Sequence, residues 1–176
     1  MNENSLNVFI DFGSSKIRLS VYNKETSKNI FILEKECISD FRLNNFNIKN
    51  SNEVIKNLIK SAEKKIDNHI KNINLMIDTP DMSSIDISIK KNFDSKQYSE
   101  QDIISLLNEA KSIVLKSYPD KKIIHMIVKK FFFDNQEFFE IPSKEINYNS
   151  IIIELKFICF SDKIYENLQD SFTSNI

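Results

Sequence analysis

The chain contains a single glycine, Gly13, among its 176 residues. At average usage a chain of this length would carry about 12 glycines, so almost every turn in this protein has to form without one. Gly13 separates two apolar segments, residues 8–12 and 17–19, and directly precedes the sequence Ser-Ser-Lys. Glycine reaches positive φ and lets a backbone approach another group closely. The pattern therefore predicts a strand, a tight turn at Gly13 and a second strand.

The predicted turn carries the chemical groups of a phosphate-binding site. Successive backbone N–H groups in a tight turn form an anion-binding concavity, and the hydroxyls of Ser14 and Ser15 can add further donors. Lys16 can add positive charge, and the carboxylate of Asp11 can hold a hydrated Mg²⁺. Gly-Ser is also a common pair in ordinary hairpin turns. The spacing alone leaves both interpretations open.

Hydrophobic periodicity predicts an α/β chain in two parts. In the first part, strands at residues 6–12, 16–22 and 29–38, a helix from Glu53 and a strand at 74–79 give the order β, β, β, α, β. The second part follows Pro80, and its predicted elements are strands at 84–89, 122–133, 137–141 and 150–160, a helix from Ser99 to before Tyr118, and a final short helix with an apolar stripe of Ile164, Leu168 and Phe172. In the helix after Ser99, Asp102 stands where the acidic residue of a capping box is expected.

Composition and charge exclude several classes of protein. The net charge is −1 with acidic and basic residues interspersed, which argues against a nucleic-acid-binding surface. Cys37 and Cys159 lie far apart in apolar segments and are expected to be reduced core residues. No apolar segment reaches the 18 to 20 residues that span a bilayer, and no signal peptide is visible. We therefore expect a soluble, cytoplasmic protein without a transmembrane segment.

Other residues offer weaker signals for a functional site. His125 lies in an apolar strand without a second ligand at metal spacing, and His69 lies at the end of the first helix; both are expected to be structural or solvated. The aromatic residues 131–133 and 138–139 are expected to fill a core, with a contact surface as the alternative. A single glycine cannot supply a nucleophile elbow or a Walker loop.

Several segments resemble the FtsA family of bacterial cell-division proteins, which are actin-like. The sequence Ile-Asp-Phe-Gly-Ser-Ser-Lys-Ile at residues 10–17 resembles the phosphate-binding hairpin of actin-like proteins. The second part resembles the small SHS2 insert of the FtsA family in three places: its helix start at 98–103, its histidine-containing strand at 122–127 with 133–134, and its closing strand at 153–159. The resemblance covers nearly the whole chain.

The resemblance implies a fold class of α/β with three regions. Residues 1–80 would form half of an actin-like (ribonuclease H-like) domain with the phosphate-binding hairpin. Residues 81–162 would form a small α+β SHS2 insert domain. Residues 163–176 would form a trailing helix that returns to the first domain.

The resemblance also implies a nucleotide site. Asp11, Gly13, Ser14, Ser15 and Lys16 would bind the phosphates, with Mg²⁺ held through Asp11. The full-length family binds ATP with Mg²⁺ in a cleft between two domains. Since this chain carries only one side of that cleft, we expect weak or no nucleotide binding by it and no enzymatic activity.

By the same resemblance, the partners are division-ring and divisome proteins together with further copies of the chain. The site of action would be the cytoplasmic face of the inner membrane at the division site, with peripheral membrane association only through regions that this chain does not contain. Three alternatives stay open: a PilM-like pilus-assembly protein, a fragment of an actin-fold kinase or phosphatase, and a bare interaction module.

Overall fold

The computed structural model describes residues 6–13, 15–36, 51–77, 79–96, 98–142 and 147–173. The chain divides into unit 1, residues 1–81 with 163–176, and unit 2, residues 82–162. The described residues form eight strands and three helices in this order: β1 (Leu6–Phe12), β2 (Lys16–Asn23), β3 (Asn29–Glu36), α1 (Asn52–Ile66), β4 (Asn74–Ile77), β5 (Ser83–Lys96), α2 (Glu100–Ser117), β6 (Lys121–Phe133), β7 (Gln136–Phe138), β8 (Tyr148–Ser161) and α3 (Asp162–Thr173).

The predicted α/β class is confirmed, as is the β, β, β, α, β order of unit 1. Its four strands form one mixed sheet in the order β3-β2-β1-β4. β1 pairs antiparallel with β2 and parallel with β4, and β2 pairs antiparallel with β3. The parallel pair is possible because α1 lies between β3 and β4 in sequence and provides the crossover connection.

One face of the unit 1 sheet forms a core with α1. Apolar and polar residues alternate along β1 and β2, so every second side chain points to the same face. The buried members on this face are Val8, Ile10, Phe12, Ile17, Leu19 and Val21, and α1 contributes Ile55, Leu58, Ile59 and Ala62. In α3, Phe172 packs edge-on against Phe12 at a ring-centroid distance of 6.4 Å. The opposite face of the sheet therefore carries the polar residues of the alternating pattern.

Unit 2 consists of an antiparallel sheet in the order β5-β8-β6-β7 with α2 packed on one face. β8, the last strand in sequence, lies between β5 and β6 and pairs along nearly its whole length with both. The expected strand at 84–89 proved too short, because the ladder with β8 continues beyond residue 89 to Lys96. The expected strand at 137–141 was too long, because β7 starts at Gln136 directly after the two-residue turn and its pairing with β6 ends at Phe138.

Helix α2 begins with the predicted capping box. The Ser99 hydroxyl accepts a hydrogen bond from the Asp102 amide, and the Asp102 carboxylate accepts one from the Ser99 amide at 2.9 Å. Lys91 on β5 donates to the same carboxylate at 2.6 Å. The hydrogen bond from Lys91, followed by those from Ser99, holds the pKa of Asp102 well below its usual range. The helix start is thereby tied to the sheet.

Turns that need a left-handed backbone form on short polar side chains, as the shortage of glycine requires. Asn and Asp tolerate this region better than other side chains because they can bond locally. The four described residues with positive φ are Ser27, Asp67, Asp134 and Asn135. Asp134 and Asn135 form the two-residue turn between β6 and β7, and the Asp134 carboxylate accepts hydrogen bonds from the amides of Asn149 and Ser150.

Candidate functional site

The predicted turn at Gly13 connects β1 and β2 in register. Phe12 and Ile17 form the last strand pair before the turn, and the Gly13 amide donates a hydrogen bond to the Lys16 carbonyl at 3.0 Å. A Cβ on Gly13 would lie 2.9 Å from that carbonyl oxygen, whereas the φ of Gly13 lies outside the left-handed region. Glycine is thus needed here for close backbone approach, and positive φ is not the reason.

Of the two predicted hydroxyl donors, Ser15 lies at the turn with an exposed side chain, and Ser14 lies outside the described residues. The Gly13 amide, one of the expected anion donors, is already engaged across the hairpin. The Gly13 amide is therefore not free to bind a phosphate, whereas the exposed Ser15 side chain and the charged side chains beside the turn can contact one.

These charged side chains form a paired cluster on the sheet face opposite α1. Arg18 donates to the Asp11 carboxylate at 3.1 Å, and Lys16 donates to Glu34 at 2.9 Å. The Arg18 Nε atom also lies 3.6 Å from Glu34. The hydrogen bond from Lys16 is the main reason that the pKa of Glu34 is lowered. Two acids and two bases thus alternate, and their charges cancel.

This charge cluster, which we define as Asp11, Lys16, Arg18 and Glu34, can exchange partners at little cost. Between about one third and one half of each side chain is exposed, and exposed ion pairs contribute at most about 1 kcal/mol each. A bound phosphate would have to displace Glu34 from Lys16 and Arg18. Arg18 already occupies one oxygen of the Asp11 carboxylate, and the described residues contain no group of three His, Cys, Asp or Glu side chains suited to a metal.

Sequence reasoning found Asp11 and Lys16 in this cluster but missed Arg18 and Glu34. Arg18 could have been found, because it lies two residues after Lys16 on the same strand and therefore on the same face. Glu34 could not, because only the register of β2 with β3 places it opposite Arg18.

Beyond the charge cluster, this sheet face carries both apolar and polar side chains, and we call the whole face, including the cluster, the open face. One row across the strands contains Met76, Asp11, Arg18 and Glu34, and the next contains Asn74, Phe9, Ser20 and Ile32. Ile32 and Met76 are 54% and 55% exposed. A cavity of about 360 Å³ at the far end from the glycine turn is lined by Asn7, Phe9, Ser20, Tyr22, Asn23, Ser27 and Met76.

Within the described part of the chain, the remaining candidate residues do not converge on a second site. His125 has an exposed side chain in β6, and the His69 ring, 3.2 Å from Glu63, is 90% exposed. Cys159 is buried with a free thiol, and burial raises its pKa. Cys37 lies outside the described residues.

Most of the aromatic residues predicted to fill a core do so. Phe131 and Phe133 are buried, and Phe138 packs against that core. Phe132 is half-buried beneath the Lys130 ammonium group. Phe139 differs, because 77% of its side chain is exposed.

Comparison with known proteins identifies similar structures but no family. No protein-family model matches the chain, and no curated protein matches its sequence. Among solved structures, the chain is similar to the cytoplasmic domain of EpsL, an inner membrane component of the type II secretion system of Vibrio cholerae, at 8% identity and a TM-score of 0.45. It is also similar to a protein with an actin-like ATPase fold and unknown function from Bacteroides thetaiotaomicron, at 16% identity and a TM-score of 0.33.

Each of these alignments covers 97% of the chain. The chain spans about half the length of the two structures, 53% of the first and 50% of the second. Within the described residues, no helix combines the length and the apolar character that crossing a membrane requires.

Proposed function

We propose that this chain is a non-enzymatic assembly protein, built on half of an actin-like domain, that acts by binding other proteins through the open face of unit 1. The observation that carries the proposal is the composition of this face. Exposed Ile32 and Met76 lie beside a charge cluster whose members already pair with one another. Apolar surface next to polar groups is typical of a protein contact site.

The Glu34 carboxylate argues against tight nucleotide binding by the chain alone. It lies beside both Lys16 and Arg18, so it would repel a phosphate bound there, and the Gly13 amide already donates to the Lys16 carbonyl. A calorimetric titration with ATP and Mg²⁺ is therefore expected to detect weak binding or none. Tight, Mg²⁺-dependent binding would contradict this part of the proposal, and hydrolysis would favour the actin-fold kinase or phosphatase alternative.

The specific form of the proposal comes from the sequence resemblance to the FtsA family. In that form the chain takes part in cell division at the cytoplasmic face of the inner membrane and contacts division-ring and divisome proteins. The resemblance in residues 10–17 and 98–103 supports this role. A PilM-like role in pilus assembly is the alternative within the same fold.

Binding measurements with a surface variant test both the role of the open face and the role in cell division. Ile32→Lys places a charge on the open face, and Ile104→Lys places one at a matched exposed position on α2, since the two isoleucines are 54% and 47% exposed. We expect Ile32→Lys to weaken binding to the purified division-ring protein about tenfold or more, because a charge would be desolvated in the contact. Ile104→Lys should bind like the unmodified chain.

The outcomes separate the candidate functions. Equal binding by both variants would place the contact elsewhere and contradict the role of the open face. Binding to a peptide of the membrane partner in pilus assembly, without binding to the division-ring protein, would replace the cell-division role by the pilus-assembly role.

A further inference from the structure

Strand β5 is a long edge strand of the unit 2 sheet. It runs over 14 residues, Ser83–Lys96, whereas strands average about 5 to 6 residues. Within the described part of the chain, β5 pairs with β8 only. Between Ser83 and Asn92, where the ladder with β8 is regular, its other edge therefore presents a row of main-chain N–H and C=O groups that can pair with another strand.

Edge strands are usually protected by charges that repel an incoming strand. In β5 the exposed positions on the side of the sheet away from α2 are Ser84, Asp86, Ser88, Lys90 and Asn92. Asp86 and Lys90 carry opposite charges at equal distances from Ser88. An identical strand running antiparallel can therefore meet this edge with Asp86 of each copy opposite Lys90 of the other.

The positions of the two charges along β5 define the register of that pairing. With a two-fold axis at Ser88, Asp86 faces Lys90 of the second copy, and Lys90 faces its Asp86. On the α2 side of the sheet, Ile87 faces Ile89. A shift by two residues in one strand puts both charges opposite uncharged side chains, and a shift by four puts like charges opposite each other.

We propose that two copies of this chain associate through β5, antiparallel and centred on Ser88, to form a continuous eight-stranded sheet. This is an isologous contact, in which the same surface of both copies meets about a two-fold axis, and it uses strand addition at a sheet edge. Main-chain hydrogen bonds supply the attraction, and the two Asp86–Lys90 pairs select the register.

The present partner of Asp86 does not prevent this pairing. Lys129 approaches the Asp86 carboxylate at 3.4 Å, and both side chains are about half exposed. Such a pair is weak, and a carboxylate has two oxygens that can accept several donors. Asp86 can therefore keep Lys129 and also meet Lys90 of the second copy.

Charge reversal tests the proposed register by sedimentation equilibrium of the full chain. Asp86→Lys and Lys90→Asp each turn both attractive pairs into repulsive ones, and each is expected to weaken dimerisation about tenfold or more. The double variant restores opposite charges and should dimerise within about threefold of the unmodified chain. Mixing the two single variants should produce a heterodimer, since every facing pair is then complementary.

A cross-linking experiment tests the position of the axis. Residues directly opposite each other have Cβ atoms about 4.5–5.5 Å apart, so Ser88→Cys should form a covalent dimer with oxidant or a short thiol-specific cross-linker. Ser84→Cys is the matched control, because position 84 faces residue 92 of the second copy and not itself. The unmodified chain reports any background from Cys37 and Cys159.

Circular dichroism of each variant verifies folding before association is measured. A chain that stays monomeric at all concentrations would overturn the proposal, as would equal cross-linking of the two cysteine variants or failure of the double variant and the mixture to associate. The inference goes beyond the proposed function, because it rests on unit 2 alone. Ile32→Lys, which tests the open face of unit 1, should leave dimerisation unchanged.

Discussion

Replacing Gly13 with alanine tests whether the turn needs glycine for space. The added Cβ would lie 2.9 Å from the Lys16 carbonyl oxygen, well inside the normal contact distance of about 3.5 Å. Relief requires backbone movement, and overpacking of this kind costs about 1–3 kcal/mol. Alanine also restricts the unfolded chain, which offsets about 0.4–1 kcal/mol. With the middle of each range, the balance is a loss of about 1–2 kcal/mol in the stability of the hairpin.

Hydrogen exchange measured by mass spectrometry can localise this loss. Amides of β1 and β2 should exchange about 5- to 30-fold faster in Gly13→Ala, and amides of β8 in unit 2 should be unaffected. Ser15→Ala is the matched control, since the Ser15 side chain is exposed at the same turn and its loss should change stability by less than about 0.5 kcal/mol. Unchanged or slower exchange in Gly13→Ala would refute the requirement for close approach.

Two further predictions concern unit 2. The pKa of Asp102 is lower in the folded protein than in the unfolded chain. Its hydrogen bonds from Lys91 and Ser99 therefore contribute fully to the free energy of unfolding above the unfolded-state pKa of about 3.9. This contribution is lost as the pH falls through the folded-state pKa. Urea unfolding between pH 7 and 2.5 should therefore show that the free energy of unfolding falls less in Asp102→Asn than in the unmodified chain. Parallel pH profiles would contradict the stabilising role of the Asp102 carboxylate. At Asn135, where φ is 71°, Asn135→Val should lower the free energy of unfolding by about 1–3 kcal/mol, and Asn135→Gly should leave it almost unchanged. Equal melting temperatures for the two variants would show that the left-handed turn is not required.

Much of the local structure followed from sequence signals that act over a few residues. The capping box of Ser99 and Asp102 predicted the start of α2, and the bounds of the hairpin at Gly13 agree with the alternation of apolar residues on either side. The candidate site could be predicted only in part from such local signals. Asp11 and Lys16 were found because they flank the glycine, and the ion pairs that engage them were not.

The sequence by itself determined where most elements begin, which face of each strand is apolar, and where a turn needs a residue without a side chain. Those properties depend on neighbours one to four residues away. Tertiary structure decided which strands pair and in what register, because pairing joins residues far apart in sequence. Glu34 on β3 contacts Lys16 and Arg18 on the neighbouring strand β2, and β5 extends to Lys96 because β8, more than 50 residues later, provides its partner. The pairing of charges at the hairpin and the edge position of β5 are consequences of that long-range register.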